Sequence, residues 1–253
     1  AKAHGHLEYV WKWWKLLTKW AVFLREKGFD PEKQLCTDDF AGRLAHNTNL
    51  SIKAILALGA YSDLCGKLGL ALEAAEYRKV AEGMVQSWLK AAKDRAGHYR
   101  LSFDRPGTWS MKYNLIWDML LGLNLFPPEV IEKELAFYLS KQERYGLPLD
   151  NRKAYAKLDW IGWIAAMGGR REWDALFKPV FTWVNETPTR VPLTDHYWAD
   201  SGEQVVHVKA RNIGFQARSV VGGIFAQLLK NPAVWQKYLD AARMESAAHH
   251  LPS

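Results

Sequence analysis

Short and long connections alternate between the helical-period segments of this chain. Apolar residues recur at helical spacing over about nine segments, approximately 7–27, 47–68, 71–94, 111–124, 128–143, 156–168, 171–186, 212–229 and 232–243, and strand signals are nearly absent. The joins 68–71, 124–128, 168–171 and 229–232 are tight, marked by Gly69, Pro127-Pro128, Gly168-Gly169 and Pro232. The joins 28–46, 95–110, 144–155 and 187–211 are long. Helices joined by short turns lie antiparallel, so each long loop enters its following helix at the same end of the assembly. All four long loops are therefore expected on one face.

Helix composition alternates in step. The second, sixth and eighth segments carry small residues (Ser51, Ala54, Gly59; Gly162, Ala165, Ala166; Gly214, Gly222, Gly223), whereas the third, fifth and seventh carry long charged side chains. Small residues let helices approach closely, and charged faces need water. The expected fold is all-α: an α/α toroid of tandem antiparallel hairpins over 1–245, with a flexible tail over 246–253. An α-solenoid is also built of helical pairs, but its units would resemble one another, and these do not. Nine helices are too few for a closed ring of six hairpins. Part of the ring is expected outside this chain, in a missing N-terminal region or a partner chain.

The 253 residues are 49% hydrophobic, ample for a packed core. Against 27 acidic residues stand 34 Lys and Arg, giving a net charge of +7, but the basic residues are interspersed rather than clustered. No nucleic-acid partner is expected. No apolar stretch approaches the ~18 residues of a membrane span, and the N-terminus lacks the basic-then-apolar order of a signal peptide, so a soluble chain with no membrane partner is expected. Cys36 and Cys65 are read as one buried thiol each. The 13 Trp, 10 Tyr and 10 Phe serve as core mass and, in loops, as platforms for ring-bearing ligands.

The ends of the long loops carry the chemistry. The first holds Asp38, Asp39, Arg43, His46 and Asn47 at a helix entry, where Asp38 or Asp39 could equally act as a cap. The second holds Trp109, Lys112 and Tyr113, with Asp118 in an apolar helix where it needs a partner, read as an ion pair. The third leads through Asp150 and Arg152 to Lys157, Asp159 and Trp160, and the fourth through Asp195 and Tyr197 to Arg218. Carboxylates beside aromatics at four loop ends on one face define a candidate pocket. His46, His98, His196 and His207 lack close ligand spacing, so no metal is expected, and no motif calls for a cofactor. Asn49-Leu50-Ser51 and Asn185-Glu186-Thr187 match the glycosylation pattern, which arises often by chance.

The runs QLCTDDFAGRLAHNTNLSIKAI, WSMKYNLIWDMLLGLNLF, YGLPLDNRKAYAKLDW, PLTDHY and GFQARSVVGGIF resemble the six-helical-hairpin domain of the glutaminase A family. The resemblance covers about residues 8–229. It implies an α/α toroid, a secreted or periplasmic location, and hydrolysis of the side-chain amide of L-glutamine to glutamate and ammonia. The positions that match its motifs are Asp38, Asp39, His46, Asn47, Lys112, Tyr113, Asp118, Asp150, Arg152, Lys157, Asp159 and Asp195.

The leading expectation is a hydrolase in which one carboxylate activates water and a second acid protonates the leaving group. Asp39 and Asp150 are the first choices, with Asp38, Asp159 and Asp195 in reserve. Asp39→Asn and Asp150→Asn are each expected to lower turnover by at least ~100-fold. Arg43, His46, Asn47, Trp109, Lys112, Tyr113, Arg152, Lys157, Trp160 and Tyr197 are the candidate substrate contacts, for glutamine or a sugar. A glycoside hydrolase and a non-catalytic binding or scaffolding module are the alternatives. The geometric expectation is that Asp38 or Asp39, Asp150 and Asp195 converge on one opening.

Overall fold

A computed structural model describes residues 6–32, 39–206 and 214–248, excluding the side chains of Asp39 and of residues 242–248. Its helices are α1 (Glu8–Lys12), α2 (Trp14–Lys27), α3 (Thr48–Lys67), α4 (Ala71–Ala91), α5 (Ile116–Leu121), α6 (Pro128–Leu139), α7 (Leu158–Met167), α8 (Arg170–Glu186) and α9 (Pro232–Ala248). Short 3₁₀ turns run over Asp39–Ala41 and Tyr113–Leu115, and a longer 3₁₀ helix over Ser219–Lys230. Local chemistry sets the ends. Asn47 caps α3 by accepting the Leu50 N–H at 2.8 Å. Gly122 ends α5 in the left-handed region, φ 68°, and Pro128 opens α6 where its missing N–H is harmless.

The expected toroidal alternation of inner and outer helices is present. Nine of the 10 residues of α7 are buried, against three of the 17 of α8, so α7 lies inside and α8 outside. Helix α3 packs on α2, α4 and the 113–121 segment; that segment packs on α7; α7 packs on α8 and on 219–230, which in turn meets α9. The inner series is thus α3, α5, α7 and 219–230, backed by α4, α6, α8 and α9. Small residues permit the crowding. A Cβ added to Gly162 would stand 2.5 Å from the Gly223 carbonyl oxygen, and one added to Gly223 would stand 2.7 Å from the Asp159 backbone.

Several elements differ from the sequence expectation. The 7–27 helix is interrupted at Trp13, and the 111–124 helix is a 3₁₀ turn followed by the six residues of α5. The last inner helix is wound as 3₁₀. Val220, Val221, Ile224 and the Gly222-Gly223 pair are weak α-formers, and the narrower winding brings backbone against α7. Helix α9 continues to Ala248, three residues into the expected tail. Among the described residues no cation pairs with Asp118; its carboxylate accepts the N–H groups of Leu125 and Phe126 at 2.9–3.2 Å and so fixes the α5–α6 turn. Asn49 is buried and bonded to Asn114, which removes the first glycosylation match from the surface of the folded chain. Cys65 is a free, buried thiol, while Cys36 lies outside the described residues.

The long loops share one face and pair in sequence. Asn47 bridges Ser102, Ser110 bridges Asp150, and a ribbon of β1 (Tyr155–Lys157) and β2 (His196–Trp198) joins the third loop to the fourth. The ribbon is antiparallel, with Tyr155 opposite Trp198, Ala156 opposite Tyr197 and Lys157 opposite His196. It was invisible as a strand signal, because each half is three residues long and its partner is some forty residues away. No described helix is long and apolar enough to cross a membrane.

Candidate active site

The ribbon places a four-membered charge cluster at the mouth of the inner helices. Lys157 is the last residue of β1, and the next backbone N–H, of Leu158, donates to the Asp195 carbonyl at 2.9 Å. The Lys157 ammonium hydrogen-bonds the Asp195 carboxylate and stands 3.4 Å from Asp159 Oδ1. Arg218 grips Asp195 from the other side, through Nε at 2.9 Å and through Nη2. Asp195 and Lys157 are fully buried and Asp159 nearly so, while a third of the Arg218 side chain remains exposed. The buried charge of Asp195 is thus paired with two cations, as burial of charge demands.

The two carboxyl groups are pushed in opposite directions. Burial raises Asp159 above its ordinary pKa, and the charge of Asp195 adds to this, outweighing the nearby Lys157 ammonium. Burial acts on Asp195 as well, but hydrogen bonds from Arg218 and Lys157 more than offset it and hold the group below its ordinary range. Asp195 is therefore a fixed anion, and Asp159 is the group suited to carry a proton.

Beside this cluster is a cleft of about 360 Å³ lined by Phe40, Lys157, Asp159, Trp160, Trp163, Arg218, Val220 and Gly223. The Lys157 ammonium stands 5.3 Å from the ring centres of both Phe40 and Trp160. Tyr113 stacks on Trp160 at 4.3 Å, and Phe40 meets His196 at 4.8 Å. The first, third and fourth long loops and the helices they enter thus line the cleft, through Phe40, Lys157 with Asp159, and Arg218, while Tyr113, just past the second, supports Trp160 from beneath.

The other expected site residues are distributed elsewhere. Asp38 lies outside the described residues, as does His207; the backbone of Asp39 opens the 3₁₀ turn that carries Phe40 into the cleft. Asp150 does not converge with Asp195. It is buried against Arg152, which donates to it from its backbone N–H at 2.8 Å and from its side chain at 2.6 and 3.0 Å and reaches Gly42 O at 2.8 Å. Asp150 instead borders a separate cleft of about 350 Å³ with Trp109, Lys141, Glu143 and Lys153, and the two clefts share no lining residue.

Several expected contacts are built into the scaffold instead. Lys112 is fully buried, its ammonium donating to Tyr99 O at 3.1 Å and Ser110 O at 2.9 Å beside Glu134 at 3.7 Å. Tyr197 is a core ring stacked on Trp183 at 3.8 Å, with its hydroxyl donating to Tyr145 O. Asn47 is spent as the α3 cap, and Tyr113 lies beneath Trp160. Polar residues that read from the sequence as ligand contacts were needed to satisfy loop backbone. His46 is half-exposed and pairs with Asp30 at 2.7 Å, and Arg43 is exposed. The cleft residues not singled out from sequence are Phe40, Trp163 and Val220, and Arg218 was named only as the residue to which the fourth loop leads. The signal for Arg218 was the buried need of Asp195 for a cation, which only the tertiary pairing reveals. Among the described residues no three His, Cys, Asp or Glu side chains gather as a metal site would require.

An arc of inner and outer helical hairpins, with its charged cleft where the long loops meet the inner helices, defines this chain as part of a six-hairpin α/α toroid. The sequence pattern of the glutaminase A six helical-hairpin domain matches residues 1–228, and the chain belongs to that family. It is 36% identical over 225 residues to glutaminase A of Aspergillus oryzae, covering 88% of this chain and 32% of that protein. It is 31% identical over 264 aligned residues to a probable glutaminase of Arthroderma benhamiae, covering 93% of this chain and 30% of that protein. The chain thus spans about a third of the length of these relatives.

Proposed function

We propose that the chain contributes the acid and the anion-binding group of a hydrolase site that cleaves the side-chain amide of L-glutamine to glutamate and ammonia. The observation that carries this reading is the pair of carboxyl groups bridged by Lys157 and pushed in opposite directions beside one cleft. Water adds to the amide carbon, the C–N bond breaks, and Asp159 delivers the proton that lets the nitrogen leave as ammonia. Asp195 has both oxygens engaged and no exposure, so its part is positioning: it fixes Lys157 beside Asp159 and aims Arg218. The exposed part of the Arg218 guanidinium pairs with the substrate α-carboxylate. Asp39, next to the cleft-lining Phe40, is the proposed water-activating base. Family membership and the names of the two relatives support glutamine over a sugar. An exported location, secreted or periplasmic, belongs to the same proposal and rests on the family resemblance.

The test is ammonia release from L-glutamine, measured beside reducing-sugar release from a glycan panel on the complete polypeptide. Ammonia release lost in Arg218→Gln chiefly through KM is the expected result. Sugar release without ammonia would establish the glycosidase alternative, and neither product would leave a non-catalytic module.

A further inference from the structure

The segment Ser219–Lys230 is a 3₁₀ helix of 12 residues. Runs this long are uncommon, because i→i+3 hydrogen bonds are poorly aligned and side chains three apart eclipse, and they mark a hinge or a chain under strain. Its apolar spacing belongs to a different winding. At the ~100° per residue of an α-helix, Val220, Ile224, Phe225 and Leu228 fall on one side and Ser219, Gly222, Gly223 and Ala226 on the other. At three residues per turn that division is lost, and Ser219, Gly222, Phe225 and Leu228 stack in one exposed column. The valines, the isoleucine and the glycines are nonetheless weak α-formers, so spacing and composition pull against each other and neither winding dominates locally.

Both ends of the segment are tethered. At its start Arg218 grips Asp195, and Ala217 donates its N–H to Leu193 O at 2.9 Å. At its end the Lys230 ammonium donates to Gly168 O, at the C-terminus of α7, at 2.7 Å. An α-helix rises ~1.5 Å per residue and a 3₁₀ helix ~2.0 Å, so over this length the α winding is shorter by about 6 Å. It cannot span both tethers, and the observed winding is the stretched one. The stretched winding is also the one that serves the cleft. It sets Arg218 and Val220 in the cleft wall and lays Gly223 against the Asp159 backbone.

We infer that 219–230 is a strap with two windings, which closes and opens one wall of the cleft. In the 3₁₀ winding Arg218 sits on Asp195 and the wall is closed. When Arg218 lets go of Asp195, the strap shortens into an α-helix, withdraws the guanidinium and opens the wall. An α-carboxylate paired with Arg218 holds the guanidinium at the cleft and so favours the stretched winding, which couples closure to occupancy. That coupling rests on the glutamine reading above, whereas the existence of two windings does not.

Dipolar electron paramagnetic resonance on the complete polypeptide, with nitroxides attached through keto amino acids in place of Ser219 and Leu229, tests this. The labelled backbone positions lie ~20 Å apart in the 3₁₀ winding and ~15 Å apart in the α winding. Both separations are expected. Saturating L-glutamate, which carries the α-carboxylate, should move the population several-fold toward the longer one. Arg218→Gln should move it several-fold toward the shorter one and abolish the response to L-glutamate. One separation under all three conditions would overturn the inference. So would two separations whose ratio L-glutamate leaves unchanged in a polypeptide that releases ammonia from glutamine, because the strap would then not answer to the site. Two separations that respond to Arg218→Gln in a polypeptide that releases no ammonia would sustain the strap and remove the glutamine reading instead.

Discussion

Asp159→Asn is expected to raise stability at neutral pH while removing most of the activity. The carboxyl group is 7% exposed and 3.4 Å from Lys157, and burial outweighs that ammonium, so its folded-state pKa lies above the ordinary 3.8. The stability it contributes is complete below 3.8, where the acid is protonated in both states, and is lost as pH rises through the raised folded value. Asparagine retains the shape of the protonated acid and never ionises. The variant should therefore match the parent near about pH 3.5 and exceed it near about pH 8. Lys157 is not stranded, because Asp195 still holds it. Each tenfold displacement of the ionisation equilibrium is about 1.4 kcal/mol. In a chain of this size each kcal/mol moves Tm by about 2–4 °C. Turnover on glutamine should fall by at least ~100-fold, the usual contribution of a positioned proton donor. Calorimetry across that pH range, with ammonia release at neutral pH, reads both effects. Near-parental turnover would refute the assignment of Asp159, and a loss of stability that does not vary with pH would show that the residue only supports the cluster.

Three further substitutions separate site from scaffold. Asp150→Asn weakens charge-assisted hydrogen bonds from Arg152 and should lower stability by about 1.5–3 kcal/mol; turnover should fall far less than in Asp159→Asn, reversing the order expected from the sequence, and equal losses would restore Asp150 to the site. Gly162→Ala drives a methyl group to 2.5 Å from the Gly223 carbonyl oxygen. Overpacking of this kind costs about 1–3 kcal/mol, or roughly 2–12 °C in Tm, and because Gly223 also abuts Asp159, turnover should drop with it; an unchanged Tm would contradict the close approach. Lys112→Met leaves Glu134 buried without its cation and should cost about 3–5 kcal/mol. KM for glutamine should stay at the parental value while the variant is folded, and a raised KM would return Lys112 to the substrate contacts.

Much of the architecture was legible in the sequence. Period 3.6 in the apolar pattern located the helices, and the strict alternation of tight and long joins dictated a common loop face. The Gly- and Ala-rich segments identified the inner helices, because only small residues allow backbones as close as Gly162 and Gly223. These are local signals, carried by neighbouring residues and readable without knowing what lies across the molecule.

The site was decided by contacts between distant segments. Asp150 and Asp195 are similar residues in similar loops, and nothing within either loop distinguishes them. Arg152, two residues away, turns back onto Asp150, whereas Asp195 receives Lys157 and Arg218 from 38 and 23 residues away through a ribbon too short to register as strands. Lys112 and Tyr197 read as ligand contacts from their polarity, yet loop backbone and core stacking claimed them. A side chain's ionisation and accessibility depend on which charges and how much protein surround it, and those surroundings exist only once the chain is folded.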